Sequence, residues 1–379
     1  MSFCLTNFQP IRPRYEIPQQ NILEWLAKLH ARAAHGANDR DYDSHYLHLK
    51  TKLSQLGTNS ETIKSRGVQL LDPLLENDEE REIYSLTRSP GFKERMRFFD
   101  REVSEIVGKW YTCTEDLPQQ MIHVTCTGYV SPSPAQKIVS RLEGKNTVVT
   151  HAYHMGCYAS MPAMRMALGA LALPSPMGSR VDILHTELCS LHMHPLHDTT
   201  EQLIVQSLFA DGFIKYSVHR EEDFPDSHYL SIVGLLEEII PDSINYMTWS
   251  CDDLCHAMTL GKEVPVVIAR FVEGYLSRLI QRTQLDESSI RQSAYFAIHP
   301  GGPKIIEQLK QRLSLREDQI AHSTQILRNY GNMSSATLPH IWEKMLHDPD
   351  VQEGSYIVSM AFGPGLTISG SILQKRVKT

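Results

Sequence analysis

The sequence has 379 residues, 41% apolar and 21% charged, which is ordinary for a globular protein large enough for two packed halves. Its net charge of -7 argues against nucleic acid as the main partner. The seven cysteines, an odd number with no secretory signal before them, favour free thiols in a reducing compartment. No apolar run is long enough to cross a bilayer, so we expect a soluble cytoplasmic protein without a membrane span.

The first third of the chain predicts an extended arm followed by helices. Residues 1–18 are polar and contain prolines, which is typical of an arm. Apolar residues recur at helical spacing from Ile22 to Leu29, and a second helix is predicted over 44–56. An apolar stripe from Phe98 to Ile106 predicts a third helix with a charged outer face.

From Met121 onward, short β-rich runs alternate with helical patterns. The predicted strands are 121–127, a run ending at Tyr153, 181–188, 213–218, a strand or hairpin near 229–237, 295–298, 355–361 and 366–373. The predicted helices are one after the turn at 131–134, one carrying Cys157, and 200–208, 266–284, 303–313 and 332–346. This alternation predicts an α/β fold with a mostly parallel sheet covered by helices. Two similar rounds predict duplicated halves, 1–225 with an N-terminal helical arm and 226–379, with the active site where they meet, although no repeat is visible at the residue level.

The stretch around Cys157 is a candidate for chemistry. A β-branched run ends at Tyr153, Gly156 follows, and a helical pattern of Ala, Met and Leu begins, so Cys157 is predicted in the first turn of a helix. The positive end of the helix dipole and unpaired backbone N–H groups there favour a thiolate, and Gly156 leaves room for a substrate. The alternative is a structural cysteine without a chemical role, because free cysteines are often buried in protein cores.

Two later segments strengthen the prediction that Cys157 is a nucleophile. Residues 297–303 are a strand that ends in His299 and continues into a rigid Gly/Pro turn, and residues 329–336 place Asn332 at the entry of another helix. Taken singly, His299 would be a core histidine and Asn332 a helix cap.

Together, five segments resemble the type III polyketide synthases, the chalcone and stilbene synthase family, in the order of that family. They are Met-Gly-Cys at 155–157, Gln-Ser-Leu-Phe-Ala-Asp-Gly at 206–212, His-Pro-Gly-Gly-Pro at 299–303, Asn-Tyr-Gly-Asn-Met-Ser-Ser-Ala at 329–336 and Phe-Gly-Pro-Gly-Leu-Thr at 362–367.

The resemblance implies a homodimer with a thiolase-like, five-layered αβαβα fold of two duplicated halves, and a catalytic triad of Cys157, His299 and Asn332. It implies that Cys157 attacks an acyl thioester and holds the starter covalently. His299 would pair with the thiolate, and His299 and Asn332 would then donate hydrogen bonds to the oxygen of a malonyl-CoA extender during its decarboxylation. The products would be pyrones or resorcinol- or phloroglucinol-type rings.

The resemblance also places a substrate pocket. Phe209 matches a family phenylalanine between acyl cavity and entrance tunnel, although an ordinary core aromatic is the alternative. A second family phenylalanine is replaced here by Met258, whose flexible thioether would restrict the opening less than an aromatic ring. Family threonines are replaced by Cys189 and by His192, whose bulk would reshape the pocket. The remaining predicted lining residues are Thr127, Ser334 and Pro364.

Binding of coenzyme A has weaker support in the sequence. Thr62-Ile63-Lys64-Ser65-Arg66 matches a family segment, but upstream basic residues are replaced. Lys52, Lys64, Arg66 and Lys304 are the candidate phosphate contacts, although a lone lysine is usually just solvated. We expect no cofactor besides the acyl-CoA and malonyl-CoA substrates, and the loss of basic residues leaves room for a starter delivered on an acyl carrier protein.

The 18 histidines invite a metal-site hypothesis. His185, His192, His194 and His197 form one group, and Cys251, Cys255 and His256 form another. Neither spacing fits an established zinc site, so we expect no bound metal.

Two rivals to the polyketide synthase interpretation remain open. The first is a ketosynthase or acyltransferase that performs a single condensation or transfer from a carrier protein. The second is a non-catalytic partner subunit of the same fold, against which the three triad residues argue.

Overall fold

The computed structural model describes residues 2–36, 40–56, 58–173, 180–224 and 228–377. The helices are α1 Gln19–His35, α2 Tyr42–Gln55, α3 Phe92–Trp110, α4 Pro134–Arg141, α5 Ser160–Ala172, α6 Thr200–Leu208, α7 Val264–Gln281, α8 Glu287–Ser293, α9 Pro303–Leu313, α10 Glu317–Tyr330 and α11 Thr337–His347. The strands are β1 Phe3–Ile11, β2 Tyr15–Pro18, β3 Ser65–Val68, β4 Gln120–Thr125, β5 Val148–Tyr153, β6 Val181–Glu187, β7 Gly212–Arg220, β8 His228–Ile239, β9 Met247–Cys251, β10 His256–Leu260, β11 Tyr295–Ile298, β12 Tyr356–Gly363 and β13 Thr367–Val377.

The main sheet has nine strands in the order β11-β12-β13-β8-β1-β7-β6-β4-β5. Its two parts meet where β1 pairs with β8, at Cys4 opposite Ser231 and Leu5 opposite Leu230. Only β4 with β5, β4 with β6 and β11 with β12 are parallel among the pairs described. The predicted mostly parallel sheet was therefore wrong, because links as short as residues 364–366 between β12 and β13 allow only an antiparallel return.

The helices and the two parts of the main sheet form five layers, which pack together through three hydrophobic clusters. Helices α5 and α11 lie in the middle and pack against strands of both sheet parts through one cluster. The outer face of the β4–β7 part is covered by α1 to α4, and the outer face of the β11–β13 part by α7, α9 and α10. The layers run helix, sheet, helix, sheet, helix, as predicted.

The N-terminal strand differs most from the sequence expectation. Residues 1–18 were predicted as an arm, but β1 lies in the interior of the main sheet between β7 and β8. Cys4, Leu5 and Thr6 are completely buried. A short apolar core within a polar, proline-containing stretch carries too little periodic signal to be recognised as a strand.

The two predicted halves contribute separate strands to the main sheet. β1 and β4 to β7 come from the first half, and β8 and β11 to β13 come from the second. The predicted boundary between residues 225 and 226 lies outside the described residues, so the division into domains stays a prediction. The β9–β10 hairpin and α10 were not predicted at all. No helix within the described ranges has the length and apolar character needed to span a membrane.

Candidate active site

Cys157 lies in a tight turn between β5 and α5. Gly156 adopts a φ of 85°, and a Cβ added to it would lie 2.5 Å from Cδ of Pro364, so a side chain there would collide with that loop. Helix α5 begins at Ser160, so Cys157 precedes the helix instead of lying in its first turn as predicted. Burial raises the pKa of the Cys157 thiol to about 12, and the helix does not overcome that desolvation.

His299 directly follows β11, and its backbone N–H donates a 2.7 Å hydrogen bond to the carbonyl of Met360 on β12. The side chain is 1% exposed, and neither ring nitrogen has a hydrogen-bond partner among the described residues. Burial lowers the pKa of His299 to about 3, so the imidazole is neutral at physiological pH. Burial therefore opposes the predicted ion pair between His299 and a Cys157 thiolate, because it favours the neutral form of both groups.

Asn332 lies five residues before α11, and a short turn at 334–336 separates it from the helix that it was predicted to enter. Its side-chain oxygen accepts hydrogen bonds from the Ser334 N–H at 2.9 Å and the Thr337 hydroxyl at 3.4 Å. Its Nδ2 has no partner in the described part of the chain. These bonds fix the amide and leave its donor free.

Cys157, His299 and Asn332 line one cavity of about 520 Å³. The structure thus brings together three residues that are far apart in the sequence. A buried thiol, a neutral imidazole and an amide with a free donor can perform nucleophilic attack, proton transfer and stabilisation of a developing oxyanion.

A smaller cavity of about 50 Å³ lies on the other side of Cys157. Every predicted pocket residue lines it: Thr127, Cys189, His192, Phe209, Met258, Ser334 and Pro364. Phe209 and Met258 line both cavities, so they lie where the two meet, and their role as a gate stays a prediction.

Backbone contacts hold the segment of Phe209 in place. The N–H of Asn332 donates to the carbonyl of Leu208 at 3.0 Å, and the N–H of Ala210 donates to the carbonyl of Asn332 at 2.8 Å. The Phe209 segment and Asn332 are therefore parts of one hydrogen-bonded unit.

Arg66 is a correction to the predicted coenzyme A contacts. Its side chain is 1% exposed, and its Nη1 donates to the carbonyls of Gln206 at 2.8 Å and Phe209 at 2.6 Å. A ligand phosphate cannot reach this buried guanidinium, which instead supports the Phe209 segment. The sequence segment matched the family, but tertiary packing turned the side chain inward.

The three lysines predicted to contact coenzyme A differ in their position relative to the larger cavity. Lys304 and His299 both line the larger cavity, and Lys262, which no sequence motif singled out, lines it as well. Lys52 donates a 3.1 Å hydrogen bond to the carbonyl of Asp198, and Lys64 is exposed; neither lines the described cavity. All remain predictions as phosphate contacts.

Sequence reasoning missed the buried Glu187 at the end of β6. Its carboxylate accepts hydrogen bonds from the Cys126 N–H at 3.0 Å and the Thr127 hydroxyl at 2.9 Å, and also from the Ser335 hydroxyl. Burial raises the pKa of Glu187. This carboxylate joins three segments that surround Cys157. A charged residue ending an otherwise buried strand was the available signal.

Alkylation of Cys157 by iodoacetamide is expected to be slow near neutral pH and to accelerate about tenfold per pH unit into the alkaline range. The thiolate is the reactive form, and burial raises the pKa of this thiol to about 12. Peptide mass spectrometry over a pH series measures the rate, and the exposed Cys113 shows that the reagent is active. A rate already at its plateau near neutral pH would instead indicate a thiolate paired with His299.

The five layers and the position of the site at strand ends define a thiolase-like protein. Residues 232–377 match the family model described as chalcone and stilbene synthases, C-terminal domain. Type III polyketide synthase A of Arabidopsis thaliana is 24% identical over 96% of this chain and 90% of that protein. Probable polyketide synthase 1 of Dictyostelium discoideum is 27% identical over 68% of this chain but only 8% of its own length.

The fold has solved counterparts. The C-terminal type III polyketide synthase domain of Steely1, a type I/III hybrid from Dictyostelium, superimposes with a TM-score of 0.82 at 22% identity, and the match covers 100% of both chains. In sequence and in fold the chain is therefore similar to the type III polyketide synthases, which indicates an enzyme with a thiolase-like fold.

Proposed function

We propose that the protein loads an acyl starter on Cys157 and extends it with malonyl-CoA by decarboxylative Claisen condensation. The observation that carries this proposal is the shared cavity in which Cys157 lies with the unpartnered polar atoms of His299 and Asn332. The products would be pyrones or resorcinol- or phloroglucinol-type polyketides, and the enzyme would act as a homodimer in the cytoplasm.

Loading begins with a neutral thiol beside a neutral imidazole. As the sulfur attacks the starter thioester, His299 accepts the thiol proton and then passes it to the departing thiol of coenzyme A. Burial keeps the His299 ring in its neutral form, in which one ring nitrogen can accept a proton, and neither nitrogen has another partner among the described residues. The acyl group is left on Cys157 as a thioester.

Condensation needs donors for a developing negative charge. When the malonyl thioester loses carbon dioxide, the electron pair of the broken carbon–carbon bond forms an enolate, and its oxygen accepts hydrogen bonds from His299 and Asn332. The enolate carbon attacks the acyl group, the bond to the Cys157 sulfur breaks, and the sulfur leaves as a thiolate. The chain, two carbons longer, is then carried on the extender thioester.

Replacing Met258 by phenylalanine is expected to narrow the range of accepted starters. Met258 lines both cavities, and a flexible thioether gives way to a bulky acyl group more readily than an aromatic ring does. Product profiles with a panel of acyl-CoA starters measure the effect. Val266→Phe, at an exposed position of α7, is the matched control. An unchanged starter profile in Met258→Phe would contradict the gate.

A second candidate is a carrier-protein-dependent ketosynthase or acyltransferase. It is favoured by the small number of basic groups at the larger cavity, where Lys262 and Lys304 are the lysines among the described lining residues. Two lysines would bind the phosphates of coenzyme A only weakly.

Intact-protein mass spectrometry distinguishes the two candidates. The protein is incubated with malonyl-CoA and short, long and aromatic acyl-CoAs, and products are analysed in parallel. Acyl adducts together with polyketide products are the expected result. Adducts without extension, or none until an acyl carrier protein is supplied, would replace the proposal with the carrier-dependent candidate.

A further inference from the structure

A cluster of nitrogen and sulfur ligands lies near the surface beside the catalytic turn. One ligand atom from each of His154, Cys251 and His256 lies within 4.8 Å of the other two. We propose that these three side chains bind a zinc ion that ties the β9–β10 hairpin to the turn carrying Cys157.

The spacing suits tetrahedral zinc. Zinc binds cysteine sulfur at about 2.3 Å and histidine nitrogen at about 2.1 Å, so neighbouring tetrahedral ligands lie about 3.6 Å apart. The Cys251 sulfur lies 3.5 Å from Nδ1 of His256, and the rings of His154 and His256 have centroids 4.6 Å apart. Small rotations of the partly exposed His154 and Cys251 side chains would close the remaining distance.

The ring nitrogens in this cluster are short of partners. Nδ1 of His154 has no hydrogen-bond partner within the described ranges, and Nδ1 of the fully buried His256 contacts the sulfur of Cys251, the other proposed ligand. Buried polar atoms without partners are rare in folded proteins and call for a ligand or another explanation.

Neighbouring groups hold His256 in position. Its backbone N–H donates a 3.0 Å hydrogen bond to Nδ1 of His192, whose Nε2 donates to the carbonyl of Thr127 at 2.7 Å. This support orders the backbone of the ligand-bearing strand, as outer contacts do at metal sites.

Three protein ligands with one exposed thiol leave the fourth position to water. On binding, the Cys251 thiol releases its proton to solvent and the thiolate coordinates the ion. Cys251 and His256 face each other across the β9–β10 hairpin, and His154 comes from the end of β5. The sequence could not reveal this set, because its third ligand lies far upstream.

The ion would have a positioning role. The same hairpin carries Trp249 and Met258, which line the smaller cavity, while His154 lies three residues before Cys157. A bound zinc ion would hold the β9–β10 hairpin, which forms one side of this cavity, against the turn that carries Cys157. Only this consequence for starter choice rests on the proposed function; zinc binding itself does not.

Metal analysis of the full-length protein tests the site. The protein, purified without chelators, is equilibrated with zinc, desalted and measured by elemental mass spectrometry. We expect about one zinc per chain, a dissociation constant below about 1 µM, and a higher unfolding temperature with zinc than after chelation.

Cys251→Ser is the main variant, because its exposed side chain can be changed without disturbing the core. It is expected to lower zinc affinity at least about tenfold, and His154→Gln to do the same. Cys113→Ser, at an exposed cysteine outside the cluster, should retain wild-type zinc. With cobalt, the wild-type protein should show a thiolate-to-metal absorption band that Cys251→Ser lacks.

Two results would overturn the proposal. One is a wild-type protein that retains no zinc after desalting and shows no cobalt–thiolate band. The other is undiminished zinc affinity in Cys251→Ser. Neither result depends on polyketide synthesis, so failure of the metal site and failure of the proposed function are distinguishable.

Discussion

Replacing Cys157 by alanine is expected to abolish acyl loading completely while leaving the fold intact. The variant lacks the sulfur that forms the covalent intermediate. The Cys157 sulfur makes a long side-chain contact of 3.7 Å with the Ser334 hydroxyl, so we expect its removal to lower stability by only about 1 kcal/mol.

Intact-protein mass spectrometry after incubation with acyl-CoA measures the loading, and thermal unfolding measures the stability. Cys189→Ala is the matched control, because Cys189 is also buried and lines the same small cavity but has no predicted catalytic role. An acyl adduct on Cys157→Ala at wild-type stoichiometry would refute the assignment of the nucleophile.

Replacing Asn332 by alanine is expected to slow malonyl-CoA decarboxylation and condensation by about 100- to 1000-fold while acyl loading persists. Removal of one preorganised donor from an oxyanion site has this cost. The Asn332 amide is well placed for the role, because its oxygen is held by Ser334 and Thr337 and its nitrogen is free within the described part of the chain.

Alanine also removes the two hydrogen bonds that the side-chain oxygen accepts, so a second variant is needed. Asn332→Asp retains acceptors for the Ser334 N–H and the Thr337 hydroxyl but loses the donor. Both variants should therefore lose condensation. Single-turnover measurements of loading and of carbon dioxide release separate the two steps. A normal condensation rate in Asn332→Asp would contradict a donor role for the amide.

The ionisation of Cys157 and His299 changes the expected order of events. The sequence suggested a thiolate formed at a helix end and paired with an imidazolium. Burial opposes both charges, raising the pKa of the thiol to about 12 and lowering that of the imidazole to about 3. Burial therefore favours the proton on sulfur, and under the proposed mechanism its transfer to His299 accompanies attack on the substrate.

Local sequence signals determined the strands and helices around the site. Strong apolar periodicity predicted α6 and α9 at their observed bounds, and a β-branched run followed by glycine predicted the turn before Cys157. These local features depend on near neighbours along the chain, which is why one sequence sufficed for them. His299 and Asn332 were selected instead through the resemblance of their segments to the type III polyketide synthases, since local pattern alone suggested a core histidine and a helix cap.

Long-range packing decided what local patterns cannot encode. The interior position of β1, the inward turn of Arg66 and the meeting of His154 with Cys251 and His256 each depend on residues distant in sequence. The ionisation of the site likewise depends on how much water the surrounding layers exclude. The amino-acid sequence by itself determined which chemical groups are present and on which elements they lie. Only the tertiary structure determined which of them are buried, which are neutral and which lie together.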